Sequence, residues 1–184
     1  MSSHYRYIPS KLVASYQRAK VELEASSEKE GNKSPSASSS SSSSQRTRAQ
    51  DGSPFVVAAT QITGAGLPDS DICGFIQRAE RAIVTAAEQH GAHVVLLPEL
   101  WCGPYFCQSQ EASLMELADP AVDNILIARM QTLAKKYQVV LPLSFYERCN
   151  NVLYNSIVVV DSDGTLCNGG ACYRKSHIPD GTGE

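Results

Sequence analysis

Continuous apolar runs that alternate with amphipathic segments constrain the fold of this 184-residue chain more than any other feature. Such runs are typical of strands that are buried on both faces. A weaker fifth run, CNGGACYRK (167–175), predicts another strand, although its glycines disfavour that structure. The four stronger runs are FVVAATQ (55–61), AHVVLLPEL (92–100), VVLPLSFYE (139–147) and NVLYNSIVVV (151–160).

Two helices are predicted between the first three runs. Apolar residues recur at helical spacing over 71–90, where Asp69 or Asp71 can cap the start and Gly91 ends the helix. Residues 120–138 form a second amphipathic segment, and the Asp161–Gly164 stretch predicts a turn between two strands. The order β-α-β-α-β-β-β predicts an α/β domain with a mixed sheet over 54–184.

The residues before this domain differ from it in composition and in the spacing of apolar residues. Residues 11–25 carry Leu12, Tyr16, Ala19 and Leu23 on one helical face, which predicts either a marginal, loosely docked helix or a partner-binding helix in an arm over 1–25. Seven consecutive serines (38–44) cannot bury apolar surface, so residues 26–53 are predicted to be a disordered Ser-rich linker.

Charge and cysteine content exclude several classes of protein. Residues 55–184 carry fourteen acidic against eight basic residues, which disfavours nucleic acid as a partner. No apolar run reaches the roughly 18 residues of a membrane span, and no apolar signal core precedes the domain, so we expect no membrane partner and a cytoplasmic location. In that setting the six cysteines are expected to be free thiols.

Three charged residues follow apolar runs, where ligands of α/β sheets gather. They are Glu99, Glu147 and Lys175. Burial at a strand end should raise the pKa of a carboxyl group and make it a better base. A nearby lysine would keep that carboxylate ionised and would stabilise a developing oxyanion. Taken singly, each residue is better explained as an ordinary strand-end charge, and it is the occurrence of three such residues at three strand ends that favours a site.

Two long motifs carry a family resemblance. VVLLPELWCGPYF and YRKSHIPDG resemble the nitrilase (carbon–nitrogen hydrolase) superfamily, and AATQ, SFYE and LYNSIVVVDSDG agree with it in order and spacing. The resemblance covers residues 55–181. The forms PELWCGPYFCQ and RKSHIPDG are most similar to the N-carbamoylputrescine amidase branch of that superfamily.

The resemblance implies a fold and a set of site residues. The fold is the N-terminal part of a four-layer α-β-β-α sandwich, and the site is a Glu-Lys-Cys triad with no cofactor and no metal. Glu99 matches the general base and Lys175 matches the lysine that stabilises the oxyanion. Glu147 is either a residue of the site wall or a hydrogen-bonding partner of a neighbouring loop, and Tyr105 and Tyr154 either line the site or, as the favoured alternative, are aromatic residues of the core or rim.

The resemblance also implies a reaction. The substrate is a small N-carbamoyl amine or amide, with N-carbamoylputrescine giving putrescine, CO2 and ammonia in polyamine biosynthesis, and full-length relatives are expected to be homo-oligomers. The nucleophilic cysteine of the family lies in a motif beyond the lysine, which residues 1–184 do not contain, so this chain is expected to be inactive alone.

Two alternatives to an active enzyme stay open at this point. The chain could be a truncated or interaction form that assembles with full-length relatives, and the uncovered apolar sheet face of half a sandwich should then promote association. The pairs Cys102/Cys107 and Cys167/Cys172 could instead bind a metal, although structural zinc usually has closer ligand spacing.

Overall fold

A computed structural model describes residues 9–31, 54–62, 71–102 and 112–178 of the chain. They form three α-helices and five strands, with short 3₁₀ helices at Ala112–Leu117 and Cys167–Gly170. The helices and strands, in chain order, are α1 (Pro9–Gly31), β1 (Val57–Ala59), α2 (Ile72–His90), β2 (Val94–Leu96), α3 (Ile125–Tyr137), β3 (Leu141–Cys149), β4 (Val152–Val160) and β5 (Tyr173–Arg174).

The strands form one mixed arrangement in the order β1-β2-β3-β4-β5. β1 and β2 are parallel, whereas β3, β4 and β5 are antiparallel neighbours. A parallel bridge between Val94 and Val140 joins the two groups, and the Val140 N–H donates to the His93 carbonyl at 2.8 Å. The predicted α/β class and the predicted order of elements are therefore confirmed for the described residues.

Local capping explains where α2 and α3 begin. The Asp71 side chain accepts from the Gly74 N–H at 3.0 Å, and Gly91 ends α2 in the left-handed conformation, as predicted. The Asn124 side chain accepts from the first N–H groups of α3, so this helix begins five residues later than the predicted segment at 120. Asparagine is favoured at this position because it satisfies backbone donors that have no partner inside the helix.

The helices cover one face of the sheet. Alternate residues of β3 and β4 are buried against them, and these include Leu141, Leu143 and Val158. On the other face of the sheet, Val57 is 61% exposed and Leu96 is 44% exposed. The expectation that β1 and β2 are buried on both faces is therefore wrong for the described residues. One sheet and one helical layer correspond to two of the four layers that the resemblance implies, and the other two stay a prediction.

Helix α1 runs through Gly31, beyond the predicted boundary at residue 25. It packs against α2, α3 and the first 3₁₀ helix, and its Tyr16 is 3% exposed. Tyr16 Oη donates to Asp119 at 2.8 Å, and Lys20 Nζ contacts both oxygens of the same carboxylate at 2.8 and 2.9 Å. The helix is thus anchored by a buried aromatic ring and an ion pair. The Leu12 side chain and residues 32–53 of the predicted linker lie outside the described residues.

The end of the described chain differs from the predicted fifth strand. Asn168, Gly169 and Gly170 have φ values of 51°, 63° and 83°, which a strand cannot accommodate. The strand is therefore reduced to the two residues of β5, which pair with β4. The predicted turn at Asp161–Gly164 is confirmed by a hydrogen bond from the Gly164 N–H to the Asp161 carbonyl at 2.9 Å.

Candidate active site

Glu99 lies in a turn just beyond the carboxyl end of β2. The next residue, Leu100, is buried and has a φ of 51°, in the left-handed region that a leucine rarely adopts. Trp101 is also buried and anchors the turn to the core. The turn that presents Glu99 is therefore held in an unfavourable backbone conformation by its surroundings.

The structure brings Glu99 and Lys175 together across 76 residues of sequence. Lys175 Nζ lies 2.9 Å from Glu99 Oε1, and the two side chains are 36% and 44% exposed. Lys175 directly follows β5, and its backbone N–H donates to the Asn155 carbonyl at 2.9 Å. The charged pair is thus fixed on the protein side and is open to a small molecule on the other.

Asn155 is the residue of this site that the sequence reasoning missed. It is buried in the middle of β4, and its Nδ2 donates to Glu99 Oε1 at 2.5 Å. A polar side chain inside the apolar run NVLYNSIVVV was the available signal, because a buried amide in a strand needs hydrogen-bonding partners.

The pKa of Glu99 is lower than the ordinary value of a glutamate. Partial burial raises this pKa, but the hydrogen bonds from Lys175 and Asn155 and the charge of Lys175 together outweigh it. The expectation that burial at the strand end raises the pKa of Glu99 is therefore wrong. Its carboxylate is ionised at neutral pH and can accept a proton only when a reacting group supplies one.

A second polar cluster lies on the opposite face of the sheet. The buried carboxylate of Glu147 accepts two hydrogen bonds from Arg174, at 2.7 and 2.9 Å, and one from Ser156 at 2.5 Å. The Arg174 guanidinium also lies 3.9 Å from the ring centroid of Tyr154. Neighbouring residues of a strand point to opposite faces, so Ser156 joins this cluster whereas Asn155 joins Glu99.

The predicted wall residues are placed as follows. Glu147 and Tyr154 lie with Arg174 on the helix-covered side of the sheet, and Tyr105 lies outside the described residues. The hydrogen bonds from Arg174 lower the pKa of Glu147, although burial opposes them. The expected rise in the pKa of Glu147 is therefore also wrong. Glu147 therefore forms a structural ion pair with Arg174 and lies on the opposite face of the sheet from Lys175.

The described cysteines are free thiols. Burial raises the pKa of Cys102 to about 12, and burial together with Glu22 raises that of Cys73. The pKa of Cys172, in the Glu147–Arg174 cluster, is raised by burial and by the Glu147 charge. A raised pKa disfavours the thiolate that would attack a carbonyl. Cys107 lies outside the described residues.

Within the described ranges, no group of three or more His, Cys, Asp and Glu residues could hold a metal ion. No helix in that part of the chain is both long and apolar enough to cross a bilayer. The polar groups that do converge are a carboxylate, an ammonium and a buried amide beyond a parallel strand. This arrangement defines an α/β protein with a site suited to proton transfer and oxyanion stabilisation.

Comparison with known proteins identifies the family. The sequence model of the carbon-nitrogen hydrolase family matches residues 56–184, and the chain belongs to that family, whose members are hydrolases acting on carbon–nitrogen bonds. It is 47% identical over 113 residues to the N-carbamoylputrescine amidase of Solanum tuberosum, covering 61% of this chain and 36% of that protein. It is 41% identical over 108 residues to the citrullinase of Francisella tularensis, covering 59% of this chain and 36% of that protein.

The structural comparison agrees with the family. The carbon-nitrogen hydrolase from Helicobacter pylori G27 superposes with a TM-score of 0.57 at 32% identity, over 67% of this chain and 40% of that one. The chain thus spans about two fifths or less of the length of these relatives. The match begins at residue 56, so helix α1 lies outside the segment that the family model covers.

Proposed function

We propose that Glu99 and Lys175 form the general base and the oxyanion-stabilising cation of a carbon–nitrogen hydrolase that acts on N-carbamoyl amines, with N-carbamoylputrescine as the first candidate. The contact of 2.9 Å between Lys175 Nζ and Glu99 Oε1 is the observation that carries this proposal. It supplies a proton acceptor and a positive charge within reach of one carbonyl group, on the open side of the sheet.

The chemistry requires each of these groups at a definite step. A thiolate attacks the ureido carbonyl, and the Lys175 ammonium stabilises the resulting oxyanion. Collapse of the tetrahedral intermediate breaks one C–N bond, and the departing nitrogen takes the proton that Glu99 removed from the thiol and leaves as ammonia. Glu99 then removes a proton from water, which attacks the thiocarbamate and releases the carbamic acid. That acid decomposes to the amine and CO2, so all atoms are accounted for.

The attacking thiolate is proposed to come from outside the described residues. Cys102, Cys73 and Cys172 all have raised pKa values, and Cys172 lies with Arg174 on the other side of the sheet from Lys175. A base and a lysine without a thiolate cannot form the covalent intermediate. We therefore propose that the described part of the chain does not by itself turn over substrate.

The choice of a diamine derivative rests on charge and on the relatives. The names of the potato and Francisella proteins both refer to ureido compounds, N-carbamoylputrescine and citrulline. Residues 55–184 carry fourteen acidic against eight basic residues, and such a surface attracts a cationic ligand. N-carbamoylputrescine carries a free ammonium group, whereas citrulline also carries a carboxylate, so the charge favours the first.

Two measurements on residues 1–184 test this function. In the first, N-carbamoylputrescine is titrated into labelled protein, and the NMR signals of Glu99 and Lys175 should shift more than with citrulline. Signals of the Glu147 cluster serve as the control, because that cluster lies on the other face. Unchanged Glu99 and Lys175 signals at saturating ligand would refute the substrate assignment.

The second measurement is ammonia release from N-carbamoylputrescine, for which we expect none. Turnover that Glu99→Gln abolishes would overturn the proposed inactivity while supporting the role of Glu99. Turnover that survives Glu99→Gln would overturn the assignment of the base.

A second candidate function is that residues 1–184 act as an assembling fragment. The exposed side chains of Val57 and Leu96 on the uncovered sheet face favour it, because apolar surface of this kind is normally buried in an interface. Concentration-dependent sedimentation would support assembly with copies of this chain, and a monomer at all concentrations would exclude it.

A further inference from the structure

One residue of the site, Asn155, connects both members of the Glu99–Lys175 pair. Its backbone carbonyl accepts from the Lys175 N–H at 2.9 Å, and its Nδ2 donates to Glu99 Oε1 at 2.5 Å. Because a carboxylate can only accept, the amide nitrogen of Asn155 must face Glu99, and its carbonyl oxygen must face away. Asn155 is buried, so water cannot readily replace either partner.

Ser144 closes this network on the neighbouring strand. Its Oγ accepts from the Leu100 N–H at 3.2 Å and lies 3.5 Å from Asn155 Oδ1, in donor orientation. Ser144 in β3 is paired with Ile157 in β4, and Asn155 is two residues before Ile157. Because paired residues and residues two apart in a strand point to the same face, Ser144 and Asn155 lie on the same face of the sheet. The hydroxyl therefore uses its proton toward the amide and its lone pair toward the backbone of the turn.

The network closes a ring through the strained turn. From Glu99 it runs along the backbone to the N–H of Leu100, then to Ser144, then to Asn155, and back to the carboxylate of Glu99. Leu100 has a φ of 51°, which a free leucine would leave. The ring thus fixes both the backbone and the side chain of the residue that presents the carboxylate.

We propose that Asn155 and Ser144 are positioning residues that hold Glu99 in its reactive orientation against Lys175. The catalytic role of this positioning rests on the proposed function. The contacts of Asn155 and Ser144 with the Glu99 turn can be tested without any turnover of substrate. Positioning matters because a small displacement of a catalytic group, about 1 Å, can cost roughly 100-fold in rate.

The test compares three variants of the full 184-residue chain. Asn155→Leu keeps the side-chain size and removes the amide, and Ser144→Ala removes only a hydroxyl. Ser156→Ala is the matched control, because it removes a hydrogen bond of the same length to a carboxylate from the adjacent residue of β4, on the opposite face. NMR titration of the glutamate side-chain carbons reports the midpoints of Glu99 and Glu147 separately.

Asn155→Leu should raise the midpoint of Glu99 and leave that of Glu147 unchanged, whereas Ser156→Ala should do the reverse. Ser144→Ala should speed hydrogen exchange of the Leu100 amide by about tenfold, and Ser156→Ala should not. An unchanged Glu99 midpoint in Asn155→Leu overturns the proposal for Asn155, and unchanged Leu100 exchange in Ser144→Ala overturns it for Ser144. An equal Glu99 shift in Ser156→Ala would show a general loosening of the sheet and would also overturn it.

These outcomes are independent of the proposed function. The midpoints and exchange rates are measured without substrate, so a failure of N-carbamoylputrescine to bind would leave them intact. Conversely, substrate shifts at Lys175 with no midpoint change in Asn155→Leu would support the function and reject the positioning role.

Discussion

Replacing Tyr16 with alanine should destabilise the whole domain, although Tyr16 lies forty residues before the segment that the family model matches. The Tyr16 ring is buried in the core cluster, and its hydroxyl donates to Asp119. Removal of a buried aromatic ring costs about 3–5 kcal/mol. Because a domain is stable by roughly 5–15 kcal/mol, this is a large fraction of its stability.

Tyr16→Phe separates the two contributions. It keeps the ring and removes one hydrogen bond to a carboxylate, which is worth about 1.5–3 kcal/mol in general. Lys20 still contacts both oxygens of Asp119, so we expect the lower end of that range. Val21→Ala is the matched control on the same helix, because Val21 is exposed and its replacement should change stability by less than about 0.5 kcal/mol.

The assay is urea unfolding followed by the fluorescence of Trp101, the chain's single tryptophan, which is buried beside the turn that presents Glu99. The urea midpoint should decrease least in Val21→Ala, more in Tyr16→Phe and most in Tyr16→Ala. If Tyr16→Ala moves the midpoint no further than Val21→Ala, helix α1 is not part of the cooperative unit and the reasoning fails.

Three further predictions concern the turn, the ion pair and the uncovered face. Gly164→Ala should cost about 2–4 kcal/mol, because a Cβ there would lie 2.8 Å from a carbonyl oxygen of α3, whereas Gly169→Ala, also at positive φ but with open space around it, should cost about 1–2 kcal/mol in thermal unfolding. The lowered pKa of Glu147 means that its ion pair stabilises the fold fully above the ordinary glutamate pKa of 4.5, and that this stabilisation is lost as the pH falls from there through the lowered pKa of the folded state. Glu147→Gln should therefore lower the urea midpoint at pH 7 and flatten its decline toward pH 3, and an equally steep decline would contradict the assignment. Replacing both Val57 and Leu96 with lysine should reduce self-association in sedimentation velocity if the uncovered face drives it, and unchanged association would point to another surface.

The elements with strong local signals were predictable from the sequence. Asp71 and Gly91 define α2 because capping is a local interaction between neighbouring residues. The long apolar runs define β3 and β4, because an apolar run is likewise a signal carried by neighbouring residues. The approach of Lys175 to Glu99 followed from the family motifs, since no local rule relates residues that are 76 positions apart.

The remaining features depend on tertiary contacts that a local pattern does not contain. The pKa of Glu99 was predicted in the wrong direction because burial at the strand end was considered without the hydrogen bonds from Lys175 and Asn155, which together with the Lys175 charge outweigh it. Helix α1 extends beyond its predicted end, and it is anchored by Asp119, about 100 residues away in the sequence. Within the described part of the chain, β1 is not buried on both faces as expected. The apolar composition of a strand does not indicate which faces of its sheet are covered by other elements.

Arg174 and Lys175 are consecutive cations that serve opposite sides of one sheet. Arg174 faces Glu147 among the helices, and Lys175 faces Glu99 on the open side. Which carboxylate each cation meets therefore depends on the register of β5 against β4, because neighbouring residues of a strand point to opposite faces. A slip of one residue between β5 and β4 would turn each cation to the opposite face of the sheet while leaving the number of charges unchanged. Apart from the glycines at positive φ, substitutions in the connection from 161 to 172 that leave the register unchanged can be tolerated. A change that alters the register by an odd number would instead turn the Arg174 guanidinium toward the face of Glu99 and the Lys175 amine toward the face of Glu147.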